Sequence, residues 1–323
     1  MEIQKDFTKG RNMTADIIIP TYRPGDKFSV LLERLIRQTV KPNRIIIMNT
    51  DEAAWDRSGM GSKLLSAGAF DLCEIHHLDK AKFDHGHTRN MGVSFSHAPY
   101  FICMTQDAVP KDDQLIEGLL NPMNENVKMT YARQLPDRDA KPMERFSRYF
   151  NYSGSSLTKT EKDLPELGIK TYFASNVCAA YERKTFDELG GFTDRTVFNE
   201  DMIYTAGLLK SGKAVRYCAD AVVYHSHNYT AGRQFQRNFD LGVSQADHPE
   251  IFSGIKSESE GIRLVRTTAD WLKKQGCEKE IPNLYRVSAF KYLGYKTGIH
   301  YRMLPRFLAK KISMNKAYWE KKI

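Results

Sequence analysis

Asp16-Ile17-Ile18-Ile19-Pro20-Thr21-Tyr22-Arg23-Pro24-Gly25 decides the reading of the fold. Three successive isoleucines predict a short strand buried on both faces, and Pro20 to Gly25 supplies the turn that ends it. That turn reads PTYRPG and not GxGxxG, which excludes a dinucleotide-binding oxidoreductase. Outward from it, Phe28 to Gln38 carries Val30, Leu31, Leu35 and Ile36 at helical spacing. Arg44-Ile45-Ile46-Ile47-Met48 is a second buried strand closed by the polar turn Asn49-Thr50-Asp51-Glu52. Cys73 to Leu78 is a short third strand, a helix runs from near Thr88 to His97, and the strand Tyr100 to Met104 ends at Thr105-Gln106-Asp107. This alternation predicts an α/β fold with a mainly parallel sheet flanked by helices. Ligands of such sheets bind at the carboxyl ends of the strands. The polar turns after Ile19, Met48 and Met104 all fall at that edge, with side chains suited to a polar ligand such as a sugar nucleotide.

Further along, the pattern weakens from Asn121 to Gly168. Leu135 to Asp139 and Tyr152 to Ser156 read as loops, and a long loop in a compact domain is more often a lid or binding loop than filler. Thr171 to Ala180 reads as a strand and Arg183 to Leu189 as a short helix stopped by Gly190-Gly191. Glu200 to Ser211 is helical, Val215 to Tyr224 is a strand, and the chain after Glu260 is mostly helical. Residues 1–255 therefore form the main domain and 256–323 a helical extension.

The 323 residues are 41% apolar and 27% charged with mean hydropathy −0.51, as in a soluble globular protein. No run approaches the roughly 18 apolar residues needed to span a bilayer. Met1 to Asp16 is polar and reads as free of a secretory signal. Cys73, Cys103, Cys178, Cys218 and Cys277 are an odd, scattered set without a CxxC pair, which argues against a disulfide framework or cysteine zinc cluster and suits the cytoplasm. Of the net charge of +9, all belongs to the tail: Ile281 to Ile323 holds ten Lys or Arg against Glu320 alone, leaving 38 basic and 38 acidic residues elsewhere.

Four segments in order resemble the family 2 nucleotide-sugar glycosyltransferases, which have the GT-A fold. They are Ile17-Ile18-Ile19-Pro20-Thr21-Tyr22; Thr105-Gln106-Asp107-Ala108 in the place of an Asp-x-Asp element; Leu189-Gly190-Gly191-Phe192 followed by Asn199-Glu200-Asp201; and Val222-Val223-Tyr224-His225. The resemblance covers about Ala15 to Asp240. A narrower resemblance to bacterial rhamnosyltransferases of cell-wall and O-antigen synthesis rests on Asp84-His85-Gly86-His87-Thr88-Arg89-Asn90, Gln106-Asp107-Ala108, His225-Ser226-His227 and Lys291-Tyr292-Leu293-Gly294-Tyr295-Lys296. It implies dTDP-rhamnose as donor and a lipid-linked saccharide as acceptor; UDP-galactofuranose or UDP-N-acetylglucosamine are the runner-up donors.

Displacing a nucleoside diphosphate from a sugar needs a base for the acceptor hydroxyl, stabilisation of the leaving charge, and alignment. Asp201 is the candidate base, with Glu200 beside it as a like charge able to raise one pKa. The competing reading is that Asn199, Glu200 and Asp201 only cap a helix. Asp107 is the candidate ligand for Mg²⁺ or Mn²⁺, with His225 as a second ligand and His227 in reserve; ordinary hydrogen-bonded histidines are the alternative. Gln106 and Ala108 flank a single Asp, a departure from the Asp-x-Asp pattern that leaves a non-catalytic sugar-nucleotide-binding relative as the rival within the family. Thr21, Tyr22 and Arg23 are placed on the nucleoside, Tyr22 stacking on the base, and Asn49, Thr50 and Asp51 on a pyrimidine imide. Arg89 is placed on the diphosphate or base with Asn90 behind it, and His85 and His87 flank a Gly86 that brings backbone close to ligand. Gln106 and Asn176 are counted with the substrate contacts. Arg233 and Arg237 share a helix face as a phosphate clamp or a solvated surface.

A nucleic-acid-binding protein would need basic and aromatic residues interleaved on the main body, which is neutral, and a Ser-His-Asp hydrolase would want GxSxG, which is absent. The tail has two readings. Leu304, Phe307, Leu308 and Ile312 with Arg306, Lys310 and Lys311, followed by Tyr318 and Trp319, make either an amphipathic surface for an anionic membrane on its cytoplasmic side or a helical cap on the main domain.

Overall fold

The structure is a computed structural model; it describes residues 13–80, 83–254 and 258–320. Most of the stretch read as signal-free, the proposed boundary at 255/256 and the last two lysines lie outside the described residues. In chain order the elements are β1 (Ala15–Tyr22), α1 (Asp26–Ile36), β2 (Arg44–Thr50), α2 (Glu52–Arg57), α3 (Met60–Ser66), β3 (Cys73–Leu78), α4 (His85–Phe95), β4 (Tyr100–Met104), β5 (Val109–Pro110), α5 (Leu115–Leu120), β6 (Val127–Leu135) and α6 (Pro142–Asn151). They continue as β7 (Leu157–Lys159), α7 (Leu164–Leu167), β8 (Cys178–Glu182), α8 (Arg183–Glu188), α9 (Glu200–Lys210), β9 (Ala214–Tyr224), α10 (Ala231–Asp247), α11 (Pro249–Phe252), α12 (Glu258–Lys274), α13 (Ile281–Ile299) and α14 (Arg306–Ile312).

One nine-stranded sheet runs β3-β2-β1-β4-β8-β6-β9-β5, with β7 on β9. Strands β1, β2, β3 and β4 are parallel, β8 is antiparallel to both β4 and β6, and β6 and β9 are again parallel. Ile17, Ile18 and Ile19 are fully buried because the sheet is covered on both faces. Ile17 and Ile19 pack with Phe28, Leu31 and Leu35 of α1, while Ile18 joins Val93, Phe101 and Tyr181 on the other side. Gly92 lets α4 approach: an added Cβ there would lie 2.5 Å from the Ile18 side chain.

Two elements escape the periodicity. β6 and α6 occupy much of the stretch from Asn121 to Gly168 where the pattern weakens, because β6 buries Thr130 and Gln134 among its apolar residues and so hides its pattern. Thr171 to Ala180 is mostly not a strand; β8 begins only at Cys178, after a 3-10 turn and a loop that carries Asn176.

The tail is folded onto the main body. Ala309 and Trp319 are buried with Val197, Phe239 and Val243, and Leu304, Ile312 and Tyr318 pack against them. Those apolar residues of the expected membrane surface therefore face α10, as the cap reading requires. Phe307 stays 74% exposed and points away from that core. No described helix is long and apolar enough to cross a membrane.

Candidate active site

The carboxyl ends of β1, β2, β4 and β9, with the first turn of α9, converge on one cleft. At its β1–β2 side, the buried Thr21 hydroxyl donates to Asn49 Oδ1 at 3.1 Å, and Asn49 Nδ2 donates to His77 Nδ1 at 2.9 Å. Arg23 pairs with Asp51 at 3.1 Å, and Asp51 also accepts from Ala54 N–H at the start of α2. Arg23 and Asp51 both hold left-handed backbone, with φ of 48° and 76°. Tyr22 is exposed, with Lys80 donating to its hydroxyl at 3.2 Å. Gln106 is a positioning residue: its amide accepts from Tyr22 N–H at 2.9 Å and donates to Tyr22 C=O at 3.1 Å, fastening the β1 turn to the β4 turn. Thr50 is buried on β2 beside them.

Asp107, His225 and His227 come together, their ligand atoms all within 4.8 Å of one another. His225 Nε2 lies 3.5 Å from Asp107 Oδ1, and His227 Nε2 lies 3.4 Å from Asp107 Oδ2. The segment after β9 is fixed in place by Ser226 Oγ on Asp137, Asn228 on the Asp139 carbonyl and His227 N–H on Glu144. The hydrogen bonds also settle the tautomer of His225. Gln134 Oε1 accepts from Arg148 at 2.6 Å, so it accepts from His225 Nδ1–H at 3.1 Å as well. Burial, reinforced by Arg148 and His227, holds His225 well below the usual imidazole range, so the ring is neutral. Its Nε2 lone pair then faces a carboxylate oxygen with no proton between them, an arrangement that a divalent cation satisfies. One carboxylate and two imidazoles suit Mn²⁺ better than Mg²⁺.

Glu200 and Asp201 open α9, after Asn199 in left-handed backbone at φ 65°. Asn90 sets the approach: its side chain accepts from Phe192 N–H at 2.9 Å and donates to Phe192 C=O at 2.8 Å, clamping the Gly190-Gly191-Phe192 turn onto α4. Both glycines need positive φ, 81° and 78°. The two carboxylates are then treated differently. Burial opposes the Glu200 charge, but Arg89 at 3.0 Å, His85 and Asn176 Nδ2–H outweigh it and hold its carboxyl below the usual range. Burial, with the Glu200 charge behind it, pushes Asp201 up to about 7. Asp201 is anchored by Asn176 N–H at 2.9 Å and Met202 N–H at 2.8 Å. A carboxylate raised to the middle of the physiological range beside one kept charged is what a general base requires, and Asp201 is the candidate.

Several of the expected contact residues also have protein partners. Arg89 is buried, with its guanidinium on Glu200 and the His85 carbonyl, and neutralises part of the carboxylate pair. Asn90 holds the Phe192 turn. Asn176 serves Glu200, Asp201 and the Tyr181 hydroxyl, which donates to its Oδ1 at 2.6 Å, and so orients the carboxylates. Gly86 does bring backbone close, but to its own chain: an added Cβ would lie 2.0 Å from the Thr193 carbonyl oxygen. His87 is half exposed and lies 3.4 Å from Asp194. Arg233 and Arg237 diverge. Both are exposed, but Arg233 bonds Gln236 at 3.3 Å, whereas Arg237 lies 4.5 Å from the Phe198 ring with Tyr229 and Asp201 as its electrostatic neighbours. Sequence reading missed Gln134, Glu144 and Arg148, which lie in the stretch with the weakest periodicity, and His77, whose only signal is its place at the end of a strand.

Breaking the Arg89–Glu200 pair leaves a charge buried without a partner. Arg89→Met is therefore expected to lower stability by about 3–5 kcal/mol, measured by urea unfolding; a loss under about 1 kcal/mol contradicts the pair's role.

A mixed sheet with a cation-fitted triad and a raised carboxylate is an arrangement that a group-transfer enzyme acting on a charged leaving group could use. The glycosyl transferase family 2 profile matches residues 16–190, and the chain belongs to that family: it is a glycosyltransferase. It is 38% identical over 312 residues to the O-antigen chain rhamnosyltransferase RfbN of Salmonella typhimurium, covering 95% of this chain and 96% of that one. It is 36% identical over 309 residues to the O-antigen chain rhamnosyltransferase WbaN of Salmonella anatum, covering 94% and 95%. Among solved structures, a mannosyltransferase from Pyrobaculum calidifontis in complex with GDP-Man and Mn²⁺ has the same fold, with TM-score 0.55 and 13% identity over 97% of this chain and 86% of that one.

Proposed function

We propose that the protein is an inverting rhamnosyltransferase that moves L-rhamnose from dTDP-L-rhamnose onto a lipid-linked saccharide during O-antigen synthesis. The observation that carries the sugar is the 38% identity to RfbN over nearly the whole of both chains. Thr21, Asn49 and Tyr22 at the β1–β2 edge hold the nucleoside. Asp201 takes the proton of the acceptor hydroxyl as its oxygen attacks the anomeric carbon and the nucleoside diphosphate departs. One displacement with one base inverts the centre, so a β-linked donor gives an α-linked product. Arg237, beside Asp201 and Tyr229, meets the negative charge of the diphosphate. A divalent cation held by Asp107, His225 and His227 would neutralise the same leaving group.

The enzyme works, in this reading, on the cytoplasmic face of the membrane, where a lipid-linked acceptor lies. The outer face of α13 exposes Tyr285, Tyr292 and Leu293 with Arg286, an aromatic and basic surface suited to an anionic bilayer. Each engaged Lys or Arg adds about 1 kcal/mol. Binding to anionic vesicles at low salt that fades as salt rises is expected in sedimentation; indifference to them at low salt removes membrane contact from the proposal.

Incubation with a panel of nucleotide sugars, scoring nucleoside diphosphate release, tests the donor. Release from dTDP-rhamnose above the UDP-sugars is expected. Preference for UDP-galactofuranose or UDP-N-acetylglucosamine overturns the sugar while keeping the transferase.

A further inference from the structure

Helix α13 lies backbone to backbone on α10. An added Cβ on Gly294 would sit 2.3 Å from the Phe235 carbonyl oxygen, and one on Gly298 would sit 2.2 Å from that of Phe239. These two contacts fix the helices as parallel neighbours in register. One turn earlier, Lys291 comes level with the first turn of α10, directly after the His225 to Tyr229 segment. A second contact holds the same end: the Phe146 ring of α6 meets Trp271 of α12 at 5.5 Å, tilted by 41°, and Met143 packs on Leu272 and Leu284. Lys291 is thereby carried to Glu144, Arg148 and Arg237, its charged neighbours.

Lys291 has one carboxylate among its neighbours, Glu144, and Arg237 has Asp201. Glu144 is already bound by Arg148 at 2.7 Å and by the His227 N–H at 3.3 Å. Arg148 is further engaged by Gln134. Neither Lys291 nor Arg237 has a hydrogen bond or ion pair among the described residues. Lys291 is half-buried and Arg237 exposed; burial and the neighbouring cations push Lys291 down from its usual range. Two unpaired cations on different helices, next to a triad that fits a divalent cation, call for an anion with more than one charge.

We infer that Lys291 completes, with Arg237, an anion subsite for the diphosphate of the nucleotide sugar, so that α13 belongs to the catalytic unit and is not an appendage to it. This rests on the donor reading above for the nucleotide but not for the anion. The ammonium supplies a point charge from the side opposite the sheet edge, and the leaving diphosphate is held between α10, α13 and the triad.

The test titrates inorganic pyrophosphate and dTDP, each with Mn²⁺, into the full-length protein. Lys291→Met weakens both by about 10–100-fold, the range for losing a hydrogen bond to a charged group, and Lys291→Arg restores most of it. Equal pyrophosphate affinity in the wild type and Lys291→Met overturns the subsite. Binding of pyrophosphate through Lys291 without binding of dTDP keeps the subsite and overturns the nucleotide; binding of neither by the wild type overturns both. Amine-reactive labelling of the unmutated protein gives a reading that does not depend on how the variant folds. Pyrophosphate with Mn²⁺ protects Lys291 and leaves the exposed Lys273 reactive; unchanged labelling of Lys291 contradicts the inference.

Discussion

Asp201→Asn is expected to lower the rate of sugar transfer by about 10²–10⁴-fold, the usual contribution of a general base, while nucleotide-sugar binding persists. The substitution removes the only carboxylate of the pair that is free to take a proton, since Glu200 is committed to Arg89 and Asn176. It also has a structural cost. Asp201 accepts one backbone N–H on each oxygen, and an amide can accept on only one, so about 1–3 kcal/mol of stability goes with it. The pH profile separates the two effects. Asp201 titrates at about 7, and a base works only when unprotonated, so the wild-type rate rises with pH up to about 7 and then levels off. The residual activity of a folded Asp201→Asn protein loses that limb. Near-wild-type turnover by the variant, with the rise intact, rules Asp201 out as the base.

Asp107→Ala is expected to abolish both metal-dependent donor binding and transfer. The carboxylate is the only charged ligand of the triad, and His225 and His227 without it are two neutral imidazoles. A cation on a departing diphosphate is worth several kcal/mol, hence a loss of roughly 10³-fold or more. Calorimetric titration of Mn²⁺ into wild type and variant reads the site directly, and excess chelator should reproduce the defect. Full rate in chelator would leave Asp107 as a contact to ribose or sugar hydroxyls, and the His225 tautomer without a chemical purpose.

How much of this was legible in the sequence depended on where each residue draws its environment from. β1, β2 and β4 are legible because a strand buried on both faces needs nothing but apolar residues and a turn. The triad is legible because Asp107 and His225 each follow a strand, and strand ends fall on one edge. The Glu200 partner of Arg89 is not legible for a physical reason: a basic residue in a polar helix start looks alike whether it meets a ligand or a buried Glu200 more than a hundred residues away. Gly86 misleads in the same way, since close backbone approach does not say to what. The tail's apolar stripe has the same spacing whether it meets lipid or α10, and packing around Trp319 decides it. Lys291 stands out in sequence only as part of a resembling segment, because its neighbours depend on the glycine contacts between α13 and α10.

The most direct test is the anomeric configuration of the product. With dTDP-β-L-rhamnose, Mn²⁺ and a lipid-linked saccharide acceptor, NMR should show an α-rhamnoside formed in step with released dTDP, and Asp201→Asn should show neither. A β-rhamnoside, or wild-type protein that turns over a UDP-sugar but leaves dTDP-rhamnose intact, would contradict the single displacement or the donor respectively.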